Sequence, residues 1–245
     1  MTEPLTPAQA AAAVKKAVGD FGFTWMADPA VRARGKAELG LRGRPLYHLG
    51  RAGALGDVPV EVVIAAEAFF PPEVVRAAWT EGRALVEPLV AARAYAGLCA
   101  EHARGRFGDG ADTTRAVELV ERVVDAAPYA GLPLFAGWRA LPRPDDDPGR
   151  LGHLLNCLRE HRGSVHAAAV AAVGLGPLEA ILTGTYGEAN ARFFEWPEPY
   201  PDPAPHRARW DAAEDLTAAS AGLPYDALDA TERAELVDLL LAALA

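Results

Sequence analysis

Three of the six histidines, one of the two cysteines and an Arg-Glu pair crowd into one stretch, Arg150 to Ala167. His153, Cys157 and His161 fall at i, i+4 and i+8. On an α-helix that spacing keeps side chains on one face, drifting by about 40° per step. Gly163 reads as the end of this helix and Ser164 as the cap of the next, which places His166 in the first turn beyond. Polar groups from both sides of a tight turn would then converge. Imidazole exchanges a proton near neutrality, and in its neutral form it ligates zinc, iron or copper. Guanidinium offers a planar fork to carboxylate or phosphate.

Metal binding fits this spacing poorly. His153 and His161 would lie about 12 Å apart along the helix, too far to share an ion with ease. Cys157 with His161, or His161 with His166 across the turn, makes a better pair. The plainer reading is that Cys157 is core and the histidines are hydrogen-bonded turn residues, so neither metal nor cofactor is expected. Arg159, Glu160, His161 and Arg162 are consecutive and point about 100° apart, so they cannot share one face. Either His161 and Arg162 point inward to a polar ligand, or Arg159-Glu160 is a solvated face and His161 closes the helix C-terminus. No Gly-x-Ser-x-Gly nucleophile motif occurs, and neither cysteine has a convincing activating neighbourhood. Asp145 to Asp147 is a carboxylate run in a proline-rich connector and reads as a solvated loop with a helix cap. Arg51 lies in a glycine-rich turn, Gly50 to Gly53, beside Tyr47 and His48. Small residues there admit a close helix or a ligand. It is not a phosphate loop, since no Gly-Lys-Ser/Thr follows and no strand precedes.

The elements that must position these groups are helices. Thr6-Pro7-Ala8-Gln9 is a capping box with proline at the first helical position, and helix is expected through Val18. Pro71-Pro72-Glu73 starts another, through Trp79. Pro88 should kink or divide the alanine-rich run Glu81–Arg104. Thr113–Ala126 has Val117, Val120, Val123 and Val124 at helical spacing, and Leu132–Trp138 is short enough for one or two turns. Asp147-Pro148 launches the histidine helix, Gly149–Arg162. Val165–Val173, Leu178–Tyr186, Arg209–Ser220 and Asp229–Leu241 complete the set. Only Val58–Ile64 has the β-branched density of a strand. Phe21, Phe23, Trp25, Phe69 and Phe70 are expected in the core.

The organisation expected is an all-α protein. It has a helical body over residues 1–195, a proline-rich linker at 196–206 and a small C-terminal helical unit at 207–245. With 51% hydrophobic residues in 245, the chain can bury a large core. Its net charge of −9 repels phosphate backbones. The C-terminal unit is acidic in its own right, with Asp229, Glu232, Glu235 and Asp238 on its last helix. Nucleic acid is therefore not an expected partner, although a homodimer could assemble basic surface that one chain lacks. Two cysteines are too few for a disulfide framework, and both are expected reduced and buried. The start, Glu3-Pro4 before a capped helix, does not read as a signal peptide. The longest apolar run, Ala167–Leu182, is broken by Gly174, Gly176, Pro177 and Glu179, so no membrane span is expected. A cytoplasmic protein follows from these features.

Three segments carry a resemblance over most of the chain: Tyr47-HLGRAGAL-Gly56, Tyr129-AGLPLFAGWRAL-Pro142 and Leu158-REHRGSVHA-Ala168. They resemble an actinobacterial family of helical proteins described as helix-turn-helix or SalK-like. Gly53 and Ala54 stand where that family carries Ala-Pro, and Ser164 stands where it carries Asp. The resemblance implies a degenerate helix-turn-helix, winged-helix-like C-terminal unit, and it makes Tyr47 and Arg51 candidates to meet the histidine helix. The expected site is then a small-molecule pocket floored by His153, His161, Arg162 and His166 and approached by Tyr47 and Arg51. A ligand-responsive transcription regulator, or an enzyme using His161 or His166 as acid and base, are the alternatives.

Overall fold

The computed structural model describes residues 4–108 and 113–245. All regular structure among them is helical, 78% of the described residues lying in 13 α-helices and three 3-10 segments with no strand. In chain order these are α1 (Pro7–Ala27), α2 (Pro29–Leu39), α3 (Gly43–Ala52), α4 (Val60–Ala66), α5 (Pro72–Arg83) and α6 (Pro88–Phe107). There follow α7 (Thr113–Ala126), α8 (Pro133–Ala140), α9 (Asp147–Ala172), α10 (Pro177–Thr183), α11 (Gly187–Phe193), α12 (Arg207–Gly222) and α13 (Ala230–Leu244).

Helix starts follow local chemistry. Thr6 and Gln9 form a reciprocal capping box at α1, and Asp229 and Glu232 form another at α13. Pro88 divides its run: α5 stops at Arg83, and Glu87 caps α6 by accepting from the amides of Leu89 and Val90. The histidine helix is capped by Asp146, one residue earlier than expected, whose side chain accepts from the Gly149 amide. Val58–Ile64, the one segment with the β-branched density of a strand, leads into and forms most of α4. Val63 buries itself completely there, and no neighbouring strand exists among the described residues to pair with it.

The largest departure concerns Gly163. The histidine helix does not end there; α9 runs unbroken through Ala172, and Ser164 caps nothing. A helical glycine costs roughly 1 kcal/mol relative to alanine. Burial of Val165, Ala169 and Val170 beyond it outweighs that cost. The consequence is geometric: five residues along a continuous helix turn His166 about 140° away from His161.

α9 is the central element, packed by α1, α6, α7, α8 and α12. Leu151, Leu154, Leu155, Cys157 and Leu158 are buried round several of its faces, as a helix enclosed by others requires. Trp25, Trp79 and Trp138 are fully buried in the same core. Gly53 lets the end of α3 press onto α6, since a Cβ there would run into the Pro88 carbonyl. The glycine-rich turn thus serves helix packing.

Residues 196–206 are irregular apart from a 3-10 turn at Ala204–His206. Trp196 and Tyr200 pack against Ile181, Leu182 and Ala191, and the Trp196 indole donates to the Phe69 carbonyl at 2.9 Å. Residues 207–245 lie along the body: α12 packs on α9 and α1, and α13 on α1 and α7. Tyr225, Leu228, Leu236, Val237 and Leu240 belong to the main core. The acids of α13 meet arginines of α7: Glu235 pairs with Arg115 at 2.8 Å, and Glu232 takes Arg122 at 2.5 and 2.9 Å. Hydrogen bonding from Arg122 leads the effects that pull the Glu232 carboxyl down to about 2. Part of the C-terminal acidity is therefore structural pairing.

Candidate functional site

A chamber of about 240 Å³ opens between α1, α3, the turn after α4, and α9. Val14 and Val18 of α1, Phe69 and Phe70 of the turn, and Leu158 of α9 supply apolar wall. Tyr47, Arg51, His161 and Arg162 also line it, four of the six expected site residues. Phe69 is therefore chamber wall rather than core, and Phe23 lies 60% exposed at the surface.

The polar side of the chamber is an ionic chain. The Arg51 guanidinium donates to Glu160 through Nε at 2.9 Å and Nη2 at 2.8 Å, and to Glu67 through Nη1 at 3.2 Å. The other oxygen of Glu67 meets Nδ1 of His48. Arg159 donates to Glu160 at 2.6 Å. Both carboxylates are completely buried, and Arg51 is 11% exposed. Burial works against every charge here, and pairing outweighs it. Against burial, Glu160 and Glu67 hold Arg51 well above its ordinary value, while Arg51 and Arg159 hold the Glu160 carboxyl below its own. Arg51 and Glu160 are thus ionised at neutral pH. The indole of Trp138 donates to the Arg51 carbonyl at 3.0 Å, which fixes the end of α3 against α8.

Glu160 corrects one expectation. Arg159-Glu160 is not a solvated face, and His161 does not close a helix, because α9 continues. His48, Glu67 and Glu160 were not expected in the site. The Arg51–Glu160 pairing joins residues 109 apart, and no local signal in the sequence exposes it.

The histidines disperse. His161 is buried against Phe135, ring centroids 4.9 Å apart, and its Nε2 has no hydrogen-bond partner. Burial pushes its pKa down to about 4, so it is neutral. His153 does not reach the chamber. It is buried beside Trp138 with Nε2 3.6 Å from the Cys157 sulfur, and burial lowers it to about 4 as well. Burial raises the Cys157 thiol to about 12, and Cys99 and Cys157 are both free. His166 faces a neighbouring chamber of about 720 Å³ with Trp210 and Glu214. Its Nδ1–H donates to the Thr217 hydroxyl at 3.0 Å, since that hydroxyl itself donates to the Ala213 carbonyl. Convergence of His161 and His166 across a turn is therefore replaced by two chambers on two faces of one helix. They share Lys15, Gly19, Phe69, Arg162 and Phe194 as common wall. Among the described residues no group of three or more His, Cys, Asp or Glu side chains is arranged to hold a metal ion.

A family model described as "Helix-turn-helix family" matches residues 11–211. The chain belongs to this family. The match spans most of the helical body and all of the chamber wall except Ala221 and Tyr225, and ends near the start of α12. No curated protein and no solved structure matches the chain. No single helix among the described residues is long and apolar enough to cross a membrane.

Proposed function

We propose that this protein binds a small amphipathic molecule in the chamber bounded by α1, α3 and α9. The observation that carries the reading is the pairing of apolar walls with a buried, ionised Arg51–Glu160 side and the unpartnered imidazole of His161. Concave sites with mostly apolar lining and a few fixed polar groups are the usual form of small-molecule pockets. The ligand-binding set is Tyr47, Arg51, His161 and Arg162, with His166 on the adjoining chamber. Buried thiols at Cys99 and Cys157 suit a reducing compartment, and the proposed location is the cytoplasm.

Gly163 provides the test. It lines the chamber, and a Cβ built on it meets no atom within 4 Å. Gly163→Leu should project its side chain into that space. Native mass spectrometry of protein purified under non-denaturing conditions should show a small organic adduct that Gly163→Leu loses. An adduct retained at equal occupancy by a folded Gly163→Leu protein would place the ligand elsewhere.

The family description favours a second reading, a ligand-responsive transcription regulator. It would require a helix presenting basic residues to a groove. α13 carries three acids and one arginine, with a fourth acid, Asp229, at its cap, and it packs on α1 and α7. Binding of the small molecule is the reading we prefer.

A further inference from the structure

We infer that the ligand of this chamber is an organic anion, its charged group received by Arg159, Arg162 and Lys15, with Glu214 standing in as counter-ion until it arrives. This rests on the chamber being the binding site and adds the charge of what it takes. The whole chain carries −9, yet the chamber is lined by four cations, Lys15, Arg51, Arg159 and Arg162, which three carboxylates answer, Glu67 in the wall, Glu160 behind it and Glu214 beside it, so the cluster is net positive by one. Such a reversal of sign concentrates anions at the site.

The four cations are not equally satisfied. Arg51 is committed to Glu67 and Glu160 by three hydrogen bonds, so it belongs to the wall. Arg159 spends one N–H on Glu160 and makes no other hydrogen bond among the described residues. Arg162 makes only long contacts, from Nη2 to the Glu214 oxygens at 3.3 and 3.5 Å. Lys15 lies 3.8 Å from the same carboxylate. Charge-assisted bonds of full strength run about 2.7–2.9 Å. Glu214 thus neutralises two cations at distances that form no strong bond with either. Arg159 and Arg162 stand three residues apart on α9, and so on neighbouring positions of one face. Their free N–H groups suit the two oxygens of a carboxylate or the three of a phosphonate, while Val14, Val18, Phe69 and Leu158 accept the apolar body.

Calorimetric titration and thermal unfolding with octanoate, octanamide and 1-octanol, at low and high potassium chloride, test this. Octanoate should bind at least about tenfold more tightly than its neutral counterparts, the size of effect that one lost charge-assisted bond produces. Its advantage should shrink at high salt. Arg162→Gln and Arg159→Gln should each remove most of the preference, and Glu214→Gln should tighten octanoate several-fold. Should one arginine variant fail to fold, the other variant and the salt dependence in the wild type still decide. Equal binding of the neutral compounds would overturn the anion while leaving the chamber as a binding site. Tighter binding of octylamine would do the same. If none of these, nor 4-phenylbutyrate or its amide, binds, both the anion and the chamber reading fall. Weaker octanoate binding by Glu214→Gln would overturn the counter-ion role.

Discussion

Arg51 on α3 and Glu160 on α9, 109 residues apart in sequence, meet in a two-pronged ion pair with both bonds between 2.8 and 2.9 Å. The carboxylate is completely buried and the guanidinium nearly so. Removing one partner of such a pair strands the other charge in a poorly solvating interior. Glu160→Met should therefore destabilise by about 3–5 kcal/mol, and the double variant Arg51→Met/Glu160→Met should recover a good part of it. Guanidinium chloride unfolding at pH 7 measures both. A single variant costing less than about 1 kcal/mol would mean the pair is solvated.

Acid should weaken the fold through His153 and His161. Both have an ordinary value of 6.5 and are lowered to about 4 in the folded protein, chiefly by burial. Above pH 6.5 they are neutral in both states and stability is full. Between pH 6.5 and 4 the unfolded chain takes up protons that the folded chain refuses, so stability falls. Below pH 4 both states are protonated and these groups add no further loss. Each contributes on the order of 3 kcal/mol across that window. Urea unfolding from pH 7.5 to 4.5 should show a steep decline that His161→Gln flattens. Parallel profiles for the wild type and His161→Gln would show that its imidazole titrates normally.

Gly163 lies inside a continuous helix with open space where its Cβ would be. Gly163→Ala should raise stability by about 0.5–1 kcal/mol, since alanine loses less backbone entropy in a helix. The change is read as a higher melting temperature. A lower one would mean that α9 needs to flex at this point.

Duplex DNA should bind no better than non-specifically at physiological salt. The acids of α13 are partly spent on α7, but what they leave is neutral or negative surface rather than a basic groove-binding face. Fluorescence anisotropy with randomised and genomic fragments tests it. A sequence-specific complex that survives physiological salt would promote the regulator reading.

The sequence by itself determined that the protein is all-α, and it placed most helix starts within a residue or two. Those signals are local: Thr6 with Gln9, Asp229 with Glu232, and prolines at positions 7, 72, 88 and 133 act within one turn of themselves. The density of polar groups singled out His153, His161, Arg162 and His166, and the family resemblance added Tyr47 and Arg51 beside their small residues; of these six, His153 and His166 do not line the chamber. Only the tertiary structure decided whether Gly163 ends a helix. Its local preference is worth about 1 kcal/mol, and the burial of Val165, Ala169 and Val170 overrides it. That one decision turned His166 away from His161, whereas the places of His153 and Glu160, which precede Gly163 on the same helix, follow from the elements packed against α9. Glu67 and His48 look like ordinary surface residues in sequence, and Glu160 shows only its neighbour Arg159 as a partner. Their roles come from partners supplied by other elements, and burial is a property of the packed whole.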